Sequence, residues 1–363
     1  SVAYGDPVAG LGGGMELRFT PGNADVQEGD VLSTSGVDGL YPPGLPVARV
    51  VRVERRADST FARIYCAPLA QVYGARHVMV LKPLVDNAAR MNALKAGEID
   101  GARVQASDAA DIEGSGFTLN TGIANWAGLH LLDRDGTIVP ALGNLKVRQA
   151  INMVFDRDAI VKNIFQGYGV ANNQVFREAS EAYVASEKDK YPFDVAAAKK
   201  LMADAGYADG FDMVFPAITG SQDTVMPIIK QQLGEIGIRI TVESMQIGDY
   251  FNAVFAKKYA ALYVTLPSFD DWRDVKGMVT PTALWNALKT ESPELDGYIK
   301  TAQTTGGDEQ KAAFQDIGKF LLDNAWYAAW ATPHVLYGTD SAITAKLSPG
   351  QVEPLIWDIK PAK

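Results

Sequence analysis

Two hydrophobic periodicities divide the chain. Up to about residue 82, apolar and polar residues alternate in short runs, as in Met15-Glu16-Leu17-Arg18-Phe19, Val47-Ala48-Arg49-Val50-Val51-Arg52-Val53 and Phe61-Ala62-Arg63-Ile64-Tyr65. Alternation sends successive side chains to opposite faces of a strand, so half-buried β-strands are expected. Gly29-Asp30, Ser35-Gly36, Asp38-Gly39 and Pro42-Pro43-Gly44 supply turn chemistry between them, at the intervals of a small barrel or sandwich. No helical period occurs in this stretch.

Beyond it the period lengthens and then switches back and forth. Val147, Ala150, Ile151 and Val154 fall on one helical face behind Asn144 as N-cap. Asp156 caps a second helix over Arg157 to Gln166, ended by Gly167, and Asp194 caps a third over Val195 to Ala205, ended by Gly206. Then come a strand from Phe211 to Phe215, a helix from Asp223 to Ile236 and a strand from Ile238 to Glu243. A helix from Gly248 to Lys257 and a buried strand from Ala260 to Leu266 follow. The amphipathic helix Glu309 to Asp323 precedes a second apolar run, Trp326 to Trp330, expected as core strand rather than as a stacking platform. Repeated strand-helix order predicts α/β layers.

Composition narrows the function classes. With 47% apolar residues and 21% charged, a chain of 363 residues can bury real cores and holds two or three domains. The 34 basic against 43 acidic side chains leave −9, which disfavours nucleic acid and anionic membranes as partners. The segment to Pro83 is balanced at eight of each sign, so the deficit lies wholly in the remainder, and the boundary between two parts is placed near residues 82–88. A single cysteine, Cys66, allows no intrachain disulfide. No apolar run approaches the ~18–20 residues of a bilayer span, so no transmembrane segment is expected.

Catalytic and metal signatures are missing from the sequence. His77, His130 and His334 lack metal-ligand spacing, and one cysteine cannot complete a zinc site. Gly10-Leu11-Gly12-Gly13-Gly14 lacks the Lys-Ser/Thr of a phosphate loop, and no Gly-x-Ser-x-Gly elbow is present. The chain is therefore expected to be no enzyme, with neither cofactor nor metal.

The blocks Asn23 to Gly36, Tyr41-Pro42-Pro43-Gly44-Leu45-Pro46-Val47 and Phe61-Ala62-Arg63-Ile64 resemble, in order, the end of the β-domain of the rod-shape-determining protein MreC family. That resemblance implies an extracytoplasmic scaffold that contacts cell-wall synthesis proteins through residues 1–82. The family's membrane anchor, coiled coil and first β-lobe have no counterpart in this sequence.

Val147-Arg148-Gln149-Ala150-Ile151-Asn152 with Phe155-Asp156-Arg157 is similar to a pattern of the solute-binding proteins of peptide, dipeptide and nickel ABC importers. Arg90 to Asp100, Tyr191-Pro192-Phe193-Asp194 with Ala198 to Tyr207, and Pro293-Glu294-Leu295-Asp296 agree in order, so the resemblance runs from about Leu84 to Ile359. It implies a type II periplasmic-binding-protein-like α/β fold whose two lobes close over a small peptide or similar solute for an importer permease, in the periplasm or an equivalent extracytoplasmic space. On that scheme residues 1–82 are the MreC-like β module, 83–126 a remnant of the first lobe with one crossing (Gly116 to Leu129), and 127–259 a complete second lobe. Residues 260–363 would be the return crossing (Ala260 to Trp272) and the C-terminal part of the first lobe.

Six ligand-binding candidates follow from the resemblance. Asp270 and Asp271, with Trp272, stand where the family commonly pairs an acid with a ligand amine, although the usual Asp-Pro step is absent. An acid suits that place because a desolvated ammonium needs a counter-charge. Trp126, Trp285 and Asn286 are expected to line the cleft; a helix cap for the acids and core packing for the tryptophans are the competing readings. Most of the first lobe is missing, so micromolar affinity is expected to be lost. A junction of two gene fragments with neither function is the third reading.

Overall fold

The computed structural model describes residues 2–6, 14–21, 24–35, 44–55, 61–69 and 86–362. The turns expected at Asp38-Gly39 and Pro42-Pro43, His77 and the boundary expected near Pro83 lie outside these. The first five strands are β1 (Val2–Asp6), β2 (Gly14–Pro21), β3 (Val31–Ser33), β4 (Pro46–Glu54) and β5 (Phe61–Pro68). They form one antiparallel sheet of order β1-β2-β5-β4-β3, pairing only with one another. The predicted alternation is realised: Ala48 and Val50 of β4 and Ala62, Ile64 and Cys66 of β5 point into a small core, while Arg49, Val51, Phe61 and Arg63 face out. Register shifts at Leu17/Thr20 and Val50/Arg52 are bulges, which bend and twist the sheet.

The larger body starts with α1 (Asn87–Lys95), β6 (Gly101–Val104), α2 (Ala109–Gly114), β7 (Thr118–Ile123), β8 (Asn125–Leu131), α3 (Leu145–Met153), α4 (Arg157–Asn163) and β9 (Gly169–Ala171). It continues through α5 (Val195–Asp204), β10 (Phe211–Ile218), α6 (Met226–Glu235), β11 (Ile238–Met245), α7 (Ile247–Phe255) and β12 (Ala261–Pro267). It ends with α8 (Asp271–Met278), α9 (Pro293–Thr304), α10 (Gly307–Asp323), β13 (Tyr327–Thr339), β14 (Ile343–Ala345) and β15 (Ile359–Pro361). The expected caps are in place: Asn144 accepts from Lys146 N at 2.9 Å, Asp156 from Ala159 N at 2.9 Å and Asp194 from Ala197 N at 2.8 Å. Helix α6 starts three residues later than the periodicity suggests because Pro227, which has no N–H to give, fits only its first turn.

β12, β8 and β13 lie side by side with helices on both faces. Ala127, Leu129, Ala261, Tyr263, Ala328 and Trp330 face a core built with α3, α5 and α6. Their alternating neighbours Trp126, Leu262, Val264, Tyr327 and Ala329 face a second core built with α7 to α10. Burial on both faces is why these strands read as unbroken apolar runs. β8 and β13 approach closely at Gly128, where a Cβ would sit 2.4 Å from the Ala328 carbonyl oxygen.

The strand pairings favour another place for the return crossing than Ala260 to Trp272. β12 stays beside β8, and Tyr250, Val254 and Tyr259 share one core with Leu262, Val275, Leu295 and Phe314. A boundary after Tyr259 would cut through that core. The strand that leaves the body is β13: Tyr327 to Ala331 pair with β8, whereas His334 to Thr339 pair with β7 and Leu336 to Thr339 with β6. It also runs on to Thr339, well past the apolar run Trp326 to Trp330 expected as strand. Pro333 sits between the β8 and β7 ladders and opposite Gly169 at the end of the short β9 ladder.

At the far end of β13, α1 and α2 cover β6 and Leu336 in a third, smaller core. Described residues of the β-module touch the remainder. Gly44 lies against the Trp357 ring and Leu355, and Lys276 of α8 stands 3.7 Å from Asp25.

Candidate functional site

β12 ends at Pro267, and the polar stretch Ser268 to Arg273 turns the chain into α8. Asp270 is the N-cap of that helix, its carboxylate accepting from Arg273 N at 3.0 Å. Asp271 accepts from the Ser180 hydroxyl and from Glu181 N, the latter at 3.2 Å, and so ties the loop before α5 to the start of α8. Asp274, one turn on, is 4% exposed and accepts from Phe269 N at 2.9 Å and Ser268 Oγ at 3.3 Å. Burial pushes its carboxyl up to about 6, against the pull of those two donors. Each acid of this segment is thus held by protein groups.

The aromatic candidates fold inward. Trp126 is 1% exposed, donates from Nε1 to Met278 Sδ at 3.3 Å and meets Tyr327 edge-on at 5.4 Å. Trp285 stands edge-on to Phe251 and Phe255, with ring centroids 6.1 and 5.8 Å away. Trp272 is half-buried against the same core. Asn286 is fully buried, donating to Thr290 O at 2.9 Å and accepting from Thr290 N at 3.1 Å, which closes the loop before α9. Trp126, Trp285 and Asn286 do not come together with Asp270, because the alternation of β8 and the packing of α7 and α8 direct them into the core.

Beside Asp270 the surface opens into a hollow of about 360 Å³. One wall is Arg177, Phe269, Asp270 and Arg273; the other is the segment 348–355 beyond β14. The Arg273 guanidinium lies 3.6 Å over the Phe269 ring, and Arg177 donates to the Phe269 carbonyl at 2.8 Å. Gly350 presses on the same ring from the opposite wall: its φ is +74°, and a Cβ there would come within 2.3 Å of Phe269 Cδ1. Gly350 N in turn reaches Ile123 O at the end of β7, at 3.4 Å. Arg177, Arg273 and the 348–355 wall are absent from the sequence-derived candidates. The available signal was two arginines in an acidic chain, one of them within the Asp-rich turn itself.

Among the described residues no three His, Cys, Asp or Glu side chains gather as a metal site, and no helix is long and apolar enough to cross a membrane.

The arginines of the family-like pattern are structural. Arg148 donates to the carbonyls of Leu142, Gly143 and Asn324, and Arg157 to those of Ala329, Tyr191 and Asn152. Together they fasten α3 and α4 to the approach and first residues of β13.

Comparison with known proteins accords with this architecture. Residues 78–283 match the family described as bacterial extracellular solute-binding proteins, family 5 middle, and residues 2–82 match the barrel core of rod shape-determining protein MreC. The glutathione-binding protein GsiB of Pectobacterium atrosepticum is 24% identical over 279 residues, covering 73% of this chain and 52% of that protein. The chain therefore spans about half the length of this curated relative. Among solved structures, the periplasmic binding protein DppA of Helicobacter pylori with the peptide STSA superposes at TM-score 0.66 with 18% identity, over 78% of this chain and 56% of that one. NikA of Brucella suis with Fe(III)-EDTA superposes at TM-score 0.67 with 16% identity, over 88% and 69% respectively. The fold is that of the type II periplasmic binding proteins, with a β-rich N-terminal module. The chain belongs to family 5 of the bacterial extracellular solute-binding proteins.

Proposed function

We propose that this chain captures a short peptide or similar small solute outside the cytoplasmic membrane, for delivery to an ABC importer permease. The observation that carries the reading is the hollow at Phe269, which lies where the body meets the segment beyond the crossing strands β7 and β13. The ligands of the relatives, glutathione and the peptide STSA, support the peptide class. We take the chain to comprise the β-module, a body holding β8 to α10 with the start of β13, and a smaller part holding β6, β7 and the end of β13. The hollow is open on its outer side, so the burial that tight small-molecule sites need is incomplete and affinity weaker than micromolar is expected. Ligand-observed saturation-transfer NMR on the intact chain, with glutathione and trialanine as probes, tests this. Saturable binding of either supports capture, and no saturation of both at millimolar peptide overturns it.

The match of residues 2–82 to the MreC barrel core favours a second reading for that part alone, a contact module for cell-wall synthesis proteins. Direct titration of the intact chain with a purified cell-wall synthase distinguishes it, since only this reading expects a complex.

A further inference from the structure

We propose that the N-terminal β-module is a strap between the two walls of the Phe269 hollow, which limits how far the body and the smaller part swing about β7 and β13. The inference uses the division of the chain proposed above but not the capture of a ligand. Described residues of the module touch both walls. Asp25 faces Lys276, 3.7 Å away on α8, one turn beyond Arg273. Gly44 lies against Trp357 and Leu355, and Leu355 itself lines the hollow from the other side. Lys276 moves with the body, because Val275 and Met278 of the same helix are buried in its second core. Trp357 moves with the smaller part. Next to it, Asp358 accepts from Lys346 N at 3.1 Å and from Ser348 Oγ at 3.2 Å, while Leu347 packs on Gly122 of β7.

Both contact points are held firmly within the module. The Arg55 guanidinium donates to the carbonyls of Ala24 and Val26, on either side of Asp25, at 3.0 and 2.9 Å. Gly44 N donates to Thr34 O at 2.8 Å, and Leu45 N to Thr34 Oγ1 at 2.9 Å. An exposed ion pair and a single ring contact are each weak. They act within one chain, however, since residues 70–85 tie the module to α1, and a tethered contact forms at the effective concentration its linker sets. With the module tethered to α1 and seated on Trp357, the Asp25–Lys276 pair is the link that completes the bridge to the body. Parts of a chain that share only a small interface swing by default, so a link across both walls narrows the range of widths the hollow takes.

Double electron–electron resonance on the intact chain tests this without ligand. Nitroxides go on Glu98→Cys beside α1 and Lys200→Cys on α5, both exposed positions, and the chain without added cysteines, whose Cys66 is buried, is the labelling blank. A single narrow distance is expected. It should broaden in Asp25→Lys, and at least about twofold when Trp357→Ala is added, as the two parts are released. Lys276→Asp combined with Asp25→Lys restores an ion pair and should narrow the distribution again. Asp25 and Lys276 are both exposed, so Asp25→Lys and its charge swap keep the test valid if Trp357→Ala fails to fold. A broad distribution before any of these changes, an unchanged one after them, or a swap that does not restore the first overturns the strap. None of these results touches the capture reading, which the peptide titration decides.

Discussion

Asp270, Asp271 and Asp274 lie within five residues, yet a helix N-terminus, a neighbouring loop and a buried turn hold them respectively. Sequence shows the residue types and their proximity to the end of a strand. It does not show which donors reach them, and that is why the acids look like an amine site until their partners are seen. Trp126 and Asn286 are buried, which sequence does not show for the same reason: an aromatic or amide side chain reads alike whether its strand face or loop turns inward or outward. Asp274 gives a prediction at this scale. Its folded carboxyl titrates near 6 against an ordinary 3.8, so folding favours the protonated form. The stabilisation this brings is complete below about pH 3.8 and disappears as pH rises through about 6. Asp274→Asn stays neutral and still accepts from Phe269 N. Against the natural chain it should therefore gain about 2–3 kcal/mol in relative stability between pH 4 and pH 7.5, the size of a two-unit shift. Urea unfolding at both pH values checks this, and parallel stabilities would show that the carboxyl ionises freely in the folded chain.

At the scale of elements, the capped helices were the most legible part, since Asn144, Asp156 and Asp194 announce their helices locally. The choice between β12 and β13 as the returning strand was not legible. Both are continuous apolar runs because both are covered on two faces, and β13 runs on through Pro333, which lies opposite Gly169 of β9. What anchors β13 is a long-range contact: Arg157 donates to Ala329 O at 2.9 Å across 172 residues of sequence. Arg157→Met should leave three carbonyls without their donor, one of them on the fully buried Ala329. A loss of about 3–5 kcal/mol is expected, at about 1–3 kcal/mol for each acceptor left unpaired. Arg157→Lys should recover only part of it, because an ammonium lacks the planar fork that spans three acceptors. Denaturant midpoints of the two variants measure both, and a loss under about 1 kcal/mol in Arg157→Met would mean that β13 is held elsewhere.

For the whole molecule, the change of period near residue 82 corresponds to a change of sheet, and no ladder joins β1 to β5 with the strands of the body. Among the described residues the β-module core holds five buried side chains, far fewer than either of the two large cores of the body. Two calorimetric transitions are therefore expected of the intact chain, the one of smaller enthalpy belonging to the β-module. Ile64→Ala removes the largest of those five side chains and should cost about 2–5 kcal/mol. It should lower or abolish the smaller transition and leave the larger in place; a single transition that moves as a whole would show the two parts unfolding together.

The contact between Gly44 and Trp357 gives the protein an optical reporter of its own. Trp126, Trp326 and Trp330 are almost completely enclosed, whereas Trp357 is 56% exposed and has one side of its ring against the β-module. An aqueous quencher such as acrylamide therefore acts strongly on this indole, from the side left open to solvent. Separation of the β-module would bare the rest of the Trp357 ring and steepen its quenching over the constant contribution of the partly buried Trp272 and Trp285, while the three enclosed indoles stayed dark to it, so the position of the N-terminal module can be followed in the intact chain by the change in light emission.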